Sequence, residues 1–155
     1  MSKLERWLTL VANLSVVFGI IFLAAEMRQN TEAIQAQTRD AITEKQMTFL
    51  ASVYTNLDVA DIYQRGASGE DLATPAEGWI YSMAVGAQFR EWENSFYQYE
   101  RGLFSGEEFE GRRGRWRSNL RMSGYRRIWA NIREGYAPSF RDEIDRMVAE
   151  VERGQ

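Results

Sequence analysis

Three observations predict an all-α protein with an N-terminal membrane-spanning helix. From Leu8 to Ala25 no side chain carries a charge. Beyond that run, large apolar residues recur at alternating spacings of three and four, the period of one helix face. No alternating β-branched run bounded by turn signals occurs anywhere, so no sheet is expected. The predicted architecture is an N-terminal flank and transmembrane helix over 1–27, a polar helical stalk over 28–41, and an α-helical extramembrane domain of about five helices over 42–155.

The apolar run comes first. At 1.5 Å per residue it spans about 27 Å, close to the hydrocarbon thickness of a bilayer. It holds eleven Leu, Ile, Val or Phe residues against Thr9, Asn13, Ser15 and Gly19. Trp7 sits at an interfacial position, with Lys3 and Arg6 before the run and Glu26 and Arg28 after it. A secretory signal peptide also has a basic start and an apolar middle. Here the apolar part is long, and Leu23-Ala24-Ala25 puts a bulky residue where a cleavage site wants a small one. A buried core helix is the third reading, but such helices rarely run this far without charge. The anchor is the preferred reading.

No Gly or Pro interrupts the chain between Leu23 and Asn56, so the helix is expected to continue as the stalk, with Ile34 nearly alone as a large apolar residue. An apolar face returns from Ile42 through Met47, Phe49, Leu50, Val53, Tyr54 and Leu57. Asp58 is the expected N-cap of a short helix carrying Val59, Ile62 and Tyr63, and Gly66-Ala67-Ser68-Gly69 the loop that ends it. Thr74-Pro75-Ala76-Glu77 combines a capping box with proline at the first helical position. The helix it opens carries Val85, Phe89, Trp92, Phe96, Tyr99 and Leu103 as one stripe, and is the expected core helix, ended by Gly102. Ser105-Gly106-Glu107-Glu108 is a second capping box, starting a helix with Phe109, Trp116 and Leu120 on one face, weakened by Gly111 and Gly114. After Ser123-Gly124, a short amphipathic helix carries Tyr125, Ile128, Trp129, Ile132 and Tyr136. The last helix starts near Pro138 and buries Phe140, Ile144, Met147, Val148 and Val151.

Composition excludes more chemistry than it points to. The chain has no histidine and no cysteine. Ser-His-Asp and Cys-His sites, zinc sites of the usual ligands, His-ligated haem and disulfides are therefore impossible. Carboxylate, Arg, Tyr and Lys chemistry remains, which weighs against an enzyme; no cofactor or metal is expected. A net charge of −3 gives no general attraction for nucleic acid. Lys3 and Lys45 are the only lysines, and the arginine bias favours planar, bidentate, partly buried pairing.

The passages Phe22-Leu23-Ala24-Ala25-Glu26-Met27-Arg28-Gln29-Asn30-Thr31 and Trp92-Glu93-Asn94-Ser95-Phe96-Tyr97-Gln98-Tyr99, with Gly102-Leu103 and Pro138-Ser139-Phe140-Arg141, carry a likeness. They resemble a group of uncharacterised small bacterial membrane-anchored proteins. In that group the apolar segment ends in E-x-R-Q-N-T and a later helix reads F-E-N-x-F-Y-Q-Y; here Trp92 replaces the first Phe. The resemblance implies a bacterial source and a similar build, and carries no activity.

Three residue sets are candidate sites. On the core helix, Glu91, Glu93 and Glu100 lie among aromatics. Glu93 and Glu100 share a face with Asn94 and Tyr97 beside them, which suits a cation or acid/base work; the plainer reading is a polar edge paired with arginines. Arg112, Arg113, Arg115, Arg117, Arg121, Arg126 and Arg127, interleaved with Trp116, Tyr125 and Trp129, suit an anionic lipid surface or a partner. The plainer and preferred reading is solvated and ion-paired helix faces opposite Glu107, Glu108, Glu110 and Glu134. In the anchor, Ala12, Ser15 and Gly19 form a small-residue face for helix packing, with Asn13 available for a hydrogen bond across it.

The expectation is a non-catalytic, membrane-anchored interaction or accessory subunit in the bacterial inner membrane. Its partners would be the bilayer and other membrane subunits or a second copy of itself, not nucleic acid. The alternative is a membrane-tethered enzyme or ligand- or ion-binding domain using the Glu and Tyr residues of the core helix. Basic residues on the two flanks tie in number but crowd closer to the anchor at Lys3 and Arg6, which favours a domain on the non-cytoplasmic side.

Overall fold

The computed structural model of the chain describes residues 2–103 and 105–154, leaving the side chains of Ser52 and Tyr54 undescribed. The place expected for Tyr54 on the apolar face lies outside the described residues. The described residues are 88% helical and include no strand. The helices are α1 (Lys3–Tyr54), α2 (Leu57–Ser68), α3 (Pro75–Glu100), α4 (Gly106–Leu120), α5 (Ser123–Ile132) and α6 (Pro138–Arg153), with a 3-10 turn at Arg133–Gly135. An all-α chain with five helices after a long N-terminal one is thus what the periodicity predicted. Two compact units divide it, Met1–Thr38 and Arg39–Gln155.

In the first unit every residue from Lys3 to Ile34 is exposed. α1 is the one helix among the described residues long and apolar enough to cross a membrane, and none of its most apolar window is buried in the protein. That exposure argues against a buried core helix. Thr9 and Ser15 donate their hydroxyls to the carbonyls of Glu5 and Val11, at 2.8 and 2.9 Å, so these polar groups need no partner outside the helix.

The second unit is built around α3. Val85, Phe89, Leu120, Phe140, Ile144 and Met147 are fully buried. Trp92 stacks on Trp116 with ring centres 5.3 Å apart, and on Tyr125 at 6.0 Å. The buried stripe of α3 is Tyr81, Val85, Phe89, Trp92 and Ser95, displaced at its end from the expected Phe96 and Tyr99. Ser95 takes the sealed position because its hydroxyl is bonded to Glu91, while Phe96 is partly buried and Tyr99 stacks on Phe109 at the margin, 4.0 Å between ring centres.

Local signals explain the ends. Thr74 caps α3 by accepting from the Glu77 N–H, with Pro75 at the first position. Glu77 departs from the expected box by accepting from the N–H of Ala73 instead. Gly102, at φ 74°, closes α3 in a Schellman motif: its N–H reaches Tyr99 and that of Leu103 reaches Gln98. The Ser105–Glu108 capping box forms in both directions. α2 differs from expectation at both ends. Asn56, not Asp58, is its N-cap, accepting from the N–H groups of Asp58 and Val59. Gly66 is not in a loop but buried inside the helix, which runs to Ser68 and ends on left-handed Gly69.

Candidate functional site

Ile42 and Val53 are 2% and 5% exposed and hold the last turns of α1 onto the second unit. Between them, Lys45, Gln46, Phe49 and Leu50 form one wall of a cleft of about 440 Å³, whose other walls come from α3 (Ala87 to Asn94) and α4 (Arg115, Asn119). A second lobe of about 420 Å³ shares Gln46, Trp92 and Arg115 with it and adds Arg39, Glu108, Arg112 and Trp116. The two lobes make one cleft along the end of α1.

Glu91 is the carboxylate of the larger lobe. It accepts from Ser95 Oγ at 2.8 Å and Gln46 Nε2 at 3.3 Å, and Arg112 lies 3.5 Å away. Burial pushes its carboxyl above the ordinary range, and Ser95, Arg112, Gln46 and Lys45 offset part of that rise. Behind the cleft stands a polar network. Gln88 donates to the Tyr63 hydroxyl at 2.7 Å and accepts from that of Tyr125. The two tyrosine hydroxyls meet each other, and Asn119 approaches both Gln88 Oε1 and Tyr125 OH at 3.5 Å. Burial, then the neighbouring Tyr63, pushes the Tyr125 phenol upward, so at neutral pH it is a hydrogen-bond donor and no base. The Tyr81 hydroxyl is sealed without a partner among the described residues.

Glu93, Asn94, Tyr97 and Glu100 all line one shallower recess of about 300 Å³ beside the start of α6. Within it Glu93 accepts from the N–H of Ala137 at 2.8 Å and from Arg90 at 2.9 Å, which ties α3 to the first turn of α6. Tyr97 lies under Arg101, 4.4 Å from ring centre to guanidinium. Only Asn94 also reaches the cleft. No three acidic side chains gather to hold a metal ion among the described residues.

The seven arginines turn different ways. Arg112 faces Glu91 of α3; Arg113 reaches Glu110 and Glu143, Arg117 reaches Glu150, and Arg126 reaches Glu152 and the carbonyls of Leu120 and Arg121. These acidic partners come mainly from α3 and α6, and of those expected from sequence Glu110 is among them, paired with Arg113. Arg121 is exposed; Arg115 and Arg127, also exposed, pair with no acidic residue among those described. In the first unit Ala12, Asn13, Ser15 and Gly19 are all exposed, and a Cβ on Gly19 would meet nothing within 4 Å.

Gln46, Gln88, Ser95 and Asn119 escaped sequence reasoning. Gln88 and Ser95 carried a faint signal, each lying one turn from a member of the buried stripe (Val85 or Trp92), where a polar side chain needs a partner. No protein-family model, curated protein or solved structure matches the chain.

Proposed function

We propose that this chain is a single-pass membrane protein whose helical domain serves as an interaction or accessory subunit. The observation that carries the reading is the uncharged run 8–25, helical throughout with its apolar side chains unburied. Eleven large apolar residues contribute roughly −3 to −7 kcal/mol toward insertion, before the cost of Asn13. The Ala12-Ser15-Gly19 face supports docking to other membrane subunits or a second copy, since close backbone approach drives association in lipid. The bacterial inner membrane, with the domain on the non-cytoplasmic side, is the location this reading assigns.

Alkaline carbonate washing of membranes tests it, read together with the intact mass of the protein. Retention in the pellet at full-length mass is the expected result. Release into the supernatant overturns the anchor, and a mature chain lacking the apolar run makes that run a signal peptide.

A further inference from the structure

The cleft along the end of α1 has an uneven chemistry. Phe49, Leu50, Ala87 and Trp92 give it an apolar lining. Its two lobes carry five cations, Arg39, Lys45, Arg90, Arg112 and Arg115, against two carboxylates, Glu91 and Glu108. The chain as a whole is at −3, so this excess is local. Glu108 faces Arg39 at 2.7 Å, Glu91 faces Arg112 at 3.5 Å, and Arg90 is matched by Glu93 at 2.9 Å. Lys45 acts on Glu91 through charge alone, and Arg115, exposed, makes no ion pair with a described residue.

The indoles add a second, independent observation. Trp129 donates its N–H to Asp145 at 2.8 Å, as a buried indole ordinarily does. Trp92 and Trp116, only 3% and 2% exposed and both lining the cleft, make no such bond to a described residue. Two indoles, a lysine and an unpaired guanidinium thus line one apolar space. Its volume lies in the range of small-molecule sites.

We propose that this cleft binds a small amphipathic organic anion. The apolar body lies against Phe49, Leu50 and Trp92, and a carboxylate-type head is held by Arg115 and Lys45 with the Trp92 and Trp116 indoles alongside. A guanidinium presents paired N–H groups that match a carboxylate. A cationic ligand fits poorly, because the one carboxylate of the larger lobe, Glu91, is already matched by Ser95, Gln46 and Arg112. The inference does not depend on whether residues 8–25 cross a membrane.

Titration of the purified full-length chain with naphthalene-2-carboxylate tests this, with 2-naphthylmethylammonium as the cation of matching shape and protein-free micelles as the blank. Saturable binding of the carboxylate, at least about tenfold tighter than the cation, is expected. The indole N–H resonances of Trp92 and Trp116 should shift while that of Trp129 stays. Arg115→Gln, at an exposed and unpaired position, should weaken the carboxylate about tenfold with an unchanged melting curve. Lys45→Gln, on another helix, is the second variant and should act in the same direction. Absence of saturable binding, equal affinity for anion and cation, shifts that spare Trp92 and Trp116, or variants that bind like the parent would each overturn the proposal.

Discussion

The carboxyl of Glu91 has four neighbours that favour its charge, Ser95, Arg112, Gln46 and Lys45, and a burial that opposes it more strongly. Because its value is raised in the folded state, the native protein holds this proton at a pH where the unfolded chain has released it. Its contribution to stability is therefore fully present below the ordinary carboxyl range of roughly 4 to 5, and is lost as pH rises through the higher folded value. Glu91→Gln removes that dependence. The stability of the variant relative to the parent should improve with rising pH across this window and stay level above it; urea unfolding at a series of pH values measures the difference. Two parallel profiles would show that burial does not strain this group. At the same scale, Trp92 was legible as core from its spacing to Phe89, but Ser95 was not. Periodicity assigns a face of the helix, and Ser95 is sealed only because Glu91 supplies a bond for its hydroxyl.

Helix α2 crosses α5 where two glycines meet. A Cβ on Gly124 would collide with the carbonyl oxygen of Gly66 and stand 2.6 Å from the Tyr81 hydroxyl, and a Cβ on Gly66 would stand 2.5 Å from the Tyr81 ring. Gly124→Ala must push two backbones apart, and a destabilisation of about 1 to 3 kcal/mol is expected. Gly114, inside α4 with nothing within 4 Å of its Cβ position, is the contrast. There Gly114→Ala should stabilise by about 0.5 to 1 kcal/mol, from helix propensity alone. Thermal unfolding followed by circular dichroism separates them, and melting shifts of the same sign would remove the steric account of the crossing. Nothing in the Gly-Ala-Ser-Gly string distinguishes a packing glycine from a turn glycine. Gly69 behaves as the string implies, at φ 90°, whereas Gly66 is governed by the Tyr81 ring on another helix.

For the whole molecule, the proposed assembly rests on the first unit. A Cβ added at Gly19 meets nothing within 4 Å, so a loss of assembly on substitution there reports on contact with another chain. Gly19→Ile should weaken association while leaving insertion intact, because Ile favours the bilayer. Val17→Ile, on the opposite face, should have little effect. Native mass spectrometry of both variants in mild detergent decides; equal assembly would reduce the apolar run to a tether. What could be read in advance was the local order: the uncharged run, the Thr74 and Ser105 caps, the Gly102 stop, the helix faces. Each of these depends on residues within a turn or two, or on a property summed along the chain. The meeting of polar groups could not be read that way. Gln46 with Glu91, Tyr125 with Gln88 and Glu93 with the Ala137 N–H join positions 45, 37 and 44 residues apart. A hydrogen bond requires an approach within about 3 Å, and helix packing, which no local pattern encodes, sets which side chains come that close.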